Sequence, residues 1–175
     1  MGLAPTTSTT MMLALGDALA VALMERRGFS ADQYRVFHPG GSLGKKLIRV
    51  SDLMHAEALP LVKAATPMPE VILAMTSAGF GTAGVVDDKG LLLGVITDGD
   101  LRRHMERGLL DRSAKDVMTA KPKTIDAAML AAEALTFMNQ TTPKVTCLFV
   151  VDKANDAKRP VGILHVHDVL RAGLS

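Results

Sequence analysis

The sequence predicts an α+β protein in which two related β-β-α units follow a helical N-terminal stretch. Three observations carry this. The segment Gly94-Val95-Ile96-Thr97-Asp98-Gly99-Asp100-Leu101-Arg102-Arg103 returns as Gly162-Ile163-Leu164-His165-Val166-His167-Asp168-Val169-Leu170-Arg171. Each copy reads as a strand running into a helix with an acidic residue in its first turn. The first 48 residues have no such counterpart. An internal repeat of this length constrains the fold before any single motif does.

The repeat extends beyond that segment. Asp52 and Met54 match Asp116 and Met118 at an offset of 64, and Glu70 and Met75 match Glu133 and Met138 at 63. Val86-Asp87 match Val151-Asp152 at 65, and Gly94, Asp100 and Arg103 match Gly162, Asp168 and Arg171 at 68. Units of about 60 residues bury little core alone, so two are expected to pack as one body. The expected domains are 1–48, 49–112 and 113–175.

In order along the chain, residues 10–27 read as a helix capped by Thr9 or Thr10 and ended by Gly28. Met12, Leu13, Leu15, Leu19, Val21, Leu23 and Met24 make it apolar on nearly every side, the pattern of a helix buried all round. The run Met11–Met24 is short for a membrane span, and no basic segment precedes it as in a signal peptide. Ser30 to Gln33 fits a capping box. His38-Pro39-Gly40-Gly41-Ser42-Leu43-Gly44-Lys45-Lys46 reads as a turn before a short helix; Pro39 breaks the spacing of a Walker loop.

In the first unit Thr66-Pro67 opens a helix, with Pro67 at its first position. Val85-Val86 and Leu91–Ile96 form an antiparallel hairpin around Asp88-Lys89-Gly90. A helix follows over Gly99–Arg107, ended by Gly108. In the second unit Asp126 caps a helix through Met138, Cys147–Val151 and Val161–Leu164 are strands, and the last helix spans Val166–Ala172.

Composition excludes several classes. Of 175 residues 48% are apolar, enough for a core, but there is no Trp and one Tyr, which argues against base-stacking platforms. A net charge of +2 gives no basic footprint for a nucleic acid. Cys147 is the sole cysteine, so no internal disulfide forms, as fits a reducing cytoplasm.

Thr97 and Asp100 are either helix caps or ligand contacts. Repetition of the Asp in an equivalent frame favours the ligand: a carboxylate accepts both hydrogens of a ribose diol, and free amides at a helix start suit a phosphate. Gly79, Gly81, Thr82 and Gly84 are either a helix end and turn or a place where a ring approaches the backbone. His165, His167 and Asp168 lack the further ligands a metal site needs, so no metal is assigned.

At these residues the chain resembles a pair of CBS (cystathionine-β-synthase) domains, a regulatory module that binds nucleotides. The signature Gly-apolar-apolar-Thr-x-x-Asp is met by Gly94, Thr97 and Asp100. The second copy keeps Gly162 and Asp168 but has His165 for Thr. Ala4-Pro5-Thr6-Thr7-Ser8-Thr9-Thr10, Gly16-Asp17-Ala18-Leu19-Ala20 and the His38–Lys45 loop resemble the end of a sugar isomerase (SIS) domain. The combination resembles the bacterial D-arabinose-5-phosphate isomerases, which convert D-ribulose 5-phosphate to D-arabinose 5-phosphate for Kdo and lipopolysaccharide synthesis.

The resemblance implies a tandem CBS pair after an SIS remnant, with Thr82, Ala83, Thr97, Asp100, His165 and Asp168 as ligand-binding residues. It makes His38 a proton-transfer candidate, catalytic only in a complete SIS domain, so the chain by itself is expected to be inactive. No cofactor is required. The allosteric ligand it implies is AMP or ATP, or the nucleotide sugar CMP-Kdo. The chain is expected to form a homo-oligomer, dimer or tetramer, in the cytoplasm, with no membrane and no nucleic acid polymer as partner. A stand-alone nucleotide sensor and a purely assembling module stay open. The first copy is expected to dominate binding, and a protonated His165 to tighten any anion in the second as pH falls toward 6.

Overall fold

The computed structural model describes residues 4–30, 33–34, 45, 47–105 and 108–174. The chain divides into two compact units, Met1–Leu47 and Ile48–Ser175. In the first, α1 (Thr7–Arg26) has no buried residue, and Met11, Met12 and Leu13 are each about two-thirds exposed. Its N-cap is Thr6, whose side chain makes no capping bond. The hydroxyls expected to cap instead donate backwards, Thr9 to Pro5 and Thr6 carbonyls and Thr10 to the Thr6 carbonyl. At 20 residues α1 is long and apolar enough to cross a membrane by length and composition, contrary to the estimate from the shorter apolar run. Gly28 follows it with φ +63°. Ser30 and Gln33 exchange the two bonds of the expected capping box. His38 and the glycine loop after it lie outside the described residues.

The second unit holds two sheets. The first contains β1 (Leu61–Lys63), β2 (Thr82–Val86), β3 (Leu92–Thr97) and β4 (Thr119–Ala120) in that order. The second contains β5 (Thr124–Asp126), β6 (Cys147–Asp152) and β7 (Asp156–His165). In each, a short parallel strand precedes an antiparallel pair, and the registers correspond: Thr82 faces Thr97 as Cys147 faces His165, and Val85 faces Gly94 as Val150 faces Gly162. The connecting helices are α3 (Met68–Ala78) and α6 (Ala131–Gln140); the terminal ones are α4 (Asp98–Arg103) and α7 (Val166–Arg171).

Two short helices, α2 (Val50–Leu53) and α5 (Ala114–Val117), explain why the two repeats within the second unit pack as one body. Val50, at the head of the first repeat, lies in a core with Ile125, Ala134, Met138, Val150 and Leu164 of the second. Ala114 and Val117, at the head of the second, lie in a core with Val71, Met75, Val85 and Ile96 of the first. The backbone follows the same exchange. Val50 N donates to Met129 O at 2.8 Å and Ala131 N to Ile48 O at 2.8 Å; Ala114 N donates to Thr66 O at 2.8 Å and Met68 N to Arg112 O at 3.0 Å. The repeated Asp52 and Asp116 both cap these helices, accepting from the amides of Arg49 and Ser113. Each half thus completes the other's core. Phe149 joins the sheets: it packs with Val86, Leu92 and Ile163 into space that any side chain at Gly84 would occupy, with Phe149 Cζ 2.8 Å from where a Cβ would sit.

Local differences from the expected elements have physical causes. Pro67 is the N-cap of α3, not its first residue, and Pro69 sits in the first turn. The helix after β3 ends at Arg103, not Arg107, and Gly108 instead opens a short 3₁₀ turn at Leu109–Asp111. Asp126 is a strand residue whose carboxylate accepts from Ala128 N in the turn beyond, and α6 begins at Ala131. Thr82 and Gly84 lie within β2 rather than before it. Strands β1, β4 and β5, of two or three residues, carry no legible periodicity.

Candidate functional site

The ends of β2 and β3 and the start of α4 gather the first constellation. Strand β3 delivers Thr97 as the N-cap of α4, which sets Asp100 three residues on, facing back toward it. Asp100 is 2% exposed, and its carboxylate accepts four hydrogen bonds. Thr97 donates from its amide at 2.9 Å and its hydroxyl at 2.6 Å, Thr119 donates from its hydroxyl at 2.9 Å, and Arg103 donates from its guanidinium. Burial by itself would raise this carboxyl; the donors from Thr97, Thr119 and Arg103 outweigh it and hold the group below its ordinary range. Thr119 comes from β4, across the boundary between the repeats, where no sequence motif marks it. Thr82 donates its hydroxyl to Ile96 O at 3.0 Å.

The second constellation occupies the equivalent frame. His165 caps α7, but its ring Nδ1 accepts from His167 N at 3.2 Å. Its amide donates to the Asp168 carboxylate at 3.3 Å. Asp168 also meets His55 Nε2 at 3.1 Å and Arg171 Nη1 at 3.7 Å. His55 stands 64 residues before Thr119, the offset that relates Asp52 to Asp116, so the repeat arithmetic contained this partner. Cys147 takes the place of Thr82, and burial together with the charge of Asp168 pushes its thiol up to about 12. Burial, then the neighbouring His167, push the His165 imidazole below its ordinary value despite the attraction of Asp168. The expected gain of charge on His165 near pH 6 is therefore opposed by its surroundings.

Gly94 and Gly162 have one job in both halves. A Cβ at Gly94 would stand 2.6 Å from Met118 Sδ and 2.9 Å from Thr119 O; at Gly162 it would stand 2.5 Å from Met54 Sδ and 3.3 Å from His55 O. Their bareness lets the exchanged segments carry Thr119 and His55 to the two carboxylates. Gly84, by contrast, makes room for Phe149 of the other sheet and not for a ligand.

A cleft of about 790 Å³ opens on the first constellation. Thr82, Thr97, Asp100 and His165 line it, together with Phe80, Thr146 and Cys147, so its walls come from both repeats. Ala83 is fully buried in the core around Val71 and Ile96 and is not among the lining residues. Asp168 is likewise not among them. Among the described residues no three His, Cys, Asp or Glu side chains converge as a metal set.

The CBS domain family matches residues 50–107 and 114–175. The chain belongs to the CBS domain family. Its two matched segments are the two halves of the exchanged body. The CBS pair is 25% identical to CBSX2, solved in complex with AMP, with a TM-score of 0.59 over 73% of this chain and 96% of that one. The whole chain is 49% identical to the arabinose 5-phosphate isomerase KdsD of Pseudomonas aeruginosa and 42% identical to that of Escherichia coli K12, over 99% of its length in both. It spans about half the length of these curated relatives, 53% and 52%.

Proposed function

We propose that this CBS pair is the regulatory module of a cytoplasmic arabinose-5-phosphate isomerase and that it binds a nucleotide or nucleotide sugar in the first cleft. The observation that carries the reading is the cleft itself, in which Thr97 and Asp100 stand beside walls from both halves. The similarity to KdsD supports the parent activity, and AMP in CBSX2 supports the ligand class. AMP, ATP and CMP-Kdo are the candidates. Gly79, Gly81, the buried Thr82 and the half-buried Thr97 shape a site for a ring and ribose, and a ligand diol would compete with Thr119 and Arg103 for the Asp100 carboxylate. Calorimetric titration of the chain with AMP, ATP, CMP and CMP-Kdo tests this. Saturable heat with one of them at unit stoichiometry is expected, and no heat from any overturns the reading.

A second reading has its own observation. Asp100 already has four donors within the protein, which suits a carboxylate that only caps and joins. On that reading the pair holds an oligomer together with its clefts empty. The exposed apolar surface of α1 supports assembly on either reading, as a homodimer or homotetramer. Light scattering at micromolar concentration gives the mass; a stable monomer removes the assembling role.

A further inference from the structure

The first cleft is unevenly charged. Its lining holds Lys121, Lys123, Lys144, Arg102 and Arg103 against two acids, Asp98 and Asp100. Arg103 is committed to Asp100. The three lysines come from two separate segments, the turn after β4 and the segment before β6, and only the fold brings them together. No ion pair among the described residues involves them, and Lys123 makes only a long bond of 3.4 Å to Thr142 O. Lys121 has φ +54° and Ala58, in the corresponding turn of the first repeat, has φ +49°, so the left-handed backbone belongs to the turn in both halves and the charge to the second alone. The corresponding stretch of the first repeat, Glu57-Ala58-Leu59-Pro60, has no basic residue and one acid. With a chain net charge of only +2, this concentration of cations in one cleft is local.

Building on the nucleotide-binding reading, we propose that the first cleft selects a nucleoside di- or triphosphate over a monophosphate, and that Lys121, Lys123 and Lys144 read the added phosphates. The ribose end meets Asp100 and Thr97, and the phosphate chain runs along the lysines. Flexible ammonium groups suit a chain of phosphates, which presents charge at several points rather than one fixed fork. Because the lysines are exposed, the selection is sensitive to salt.

Titrate the full chain with AMP, ADP, ATP and inorganic tripolyphosphate at low and at high salt. Affinity is expected to rise roughly fivefold with each added phosphate at low salt. The rise shrinks at high salt, and tripolyphosphate alone binds weakly. A variant with Lys121→Gly, Lys123→Gln and Lys144→Gln should lose much more affinity for ATP than for AMP, and with it the preference. Glycine at 121 relaxes the backbone there, so unfolding is not the expected cause of a loss; an unchanged denaturation curve checks it. Equal affinity for AMP and ATP, or a variant that keeps the preference, overturns the selection while leaving nucleotide binding intact. No binding of AMP, ADP or ATP overturns the selection, and it overturns the nucleotide-binding reading as well only when CMP and CMP-Kdo also fail to bind; tripolyphosphate binding as tightly as ATP retains the anion subsite but sinks the nucleotide.

Discussion

The two halves of the CBS pair match strand for strand in register, yet their sites differ in chemistry. In the first, Thr82, Thr97 and Thr119 surround Asp100; in the second, Cys147, His165 and His55 stand in the same places around Asp168. Threonine hydroxyls are short donors close to the backbone, and they bind Asp100 tightly at 2.6 and 2.9 Å. Imidazoles are larger and divide their bonding: the His165 ring accepts from His167 N, and Asp168 has longer contacts, 3.1 Å to the His55 imidazole, 3.3 Å to the His165 amide and 3.7 Å to the Arg171 guanidinium. The backbone scaffold and its two glycines are common to both, and the side chains differ. Scaffold and site are separate properties of a repeat.

The largest effect tests the joint between the halves. Phe149 and Gly84 occupy equivalent strand positions, one filling what the other leaves open. Phe149→Ala is expected to cost about 3–5 kcal/mol, measured by urea denaturation, because the ring is fully buried. A loss under 1 kcal/mol would show that the sheets do not depend on it.

Next come the glycines. Gly94→Ala should cost about 2–3 kcal/mol and Gly162→Ala about 1–2, within the range for overpacking. The order follows from the backbone oxygens, 2.9 Å away at Gly94 and 3.3 Å at Gly162; methionine sulfurs can move, carbonyls cannot easily. A reversed order would contradict the geometry.

A smaller difference separates the carboxylates. Asp100→Asn should destabilise by about 1–3 kcal/mol, since it replaces an ionised acceptor of four donors, and Asp168→Asn by no more than about 1. Asp100 is held below its ordinary range in the folded state. Its contribution is therefore fully present above that range and is lost as pH falls through the folded value. Wild type and Asp100→Asn should converge in stability at strongly acid pH, and a constant gap would deny that the charge matters.

The smallest effect concerns His165. Its folded value is depressed, so the unfolded chain takes the proton first, and stability declines as pH falls below the ordinary histidine value. Proton NMR should place the His165 midpoint below that of a free histidine. A midpoint above it would restore the idea of a cationic His165 near pH 6.

The repeat was legible because Gly94 and Gly162, and Asp100 and Asp168, stand in one frame. Hairpins and long helices followed from period and turn residues. What stayed hidden was non-local. Strands of two or three residues have no period to detect, and the exchange of α2 and α5 between cores leaves no mark on local propensity. Thr119 and His55 reach their carboxylates from the opposite repeat, so no nearby motif announces them. The lysines of the first cleft are scattered over 24 positions in sequence and look like solvated surface until the fold closes the cleft.

The most direct test of the asymmetry is calorimetric titration of Asp100→Asn and Asp168→Asn with the nucleotide that binds the wild-type chain best. Asp100→Asn is expected to weaken binding about tenfold or more, as loss of charged hydrogen bonds to a ribose diol would, and Asp168→Asn by less than about threefold. Equal losses in the two variants, or none in either, would contradict the assignment of ligand binding to the first half.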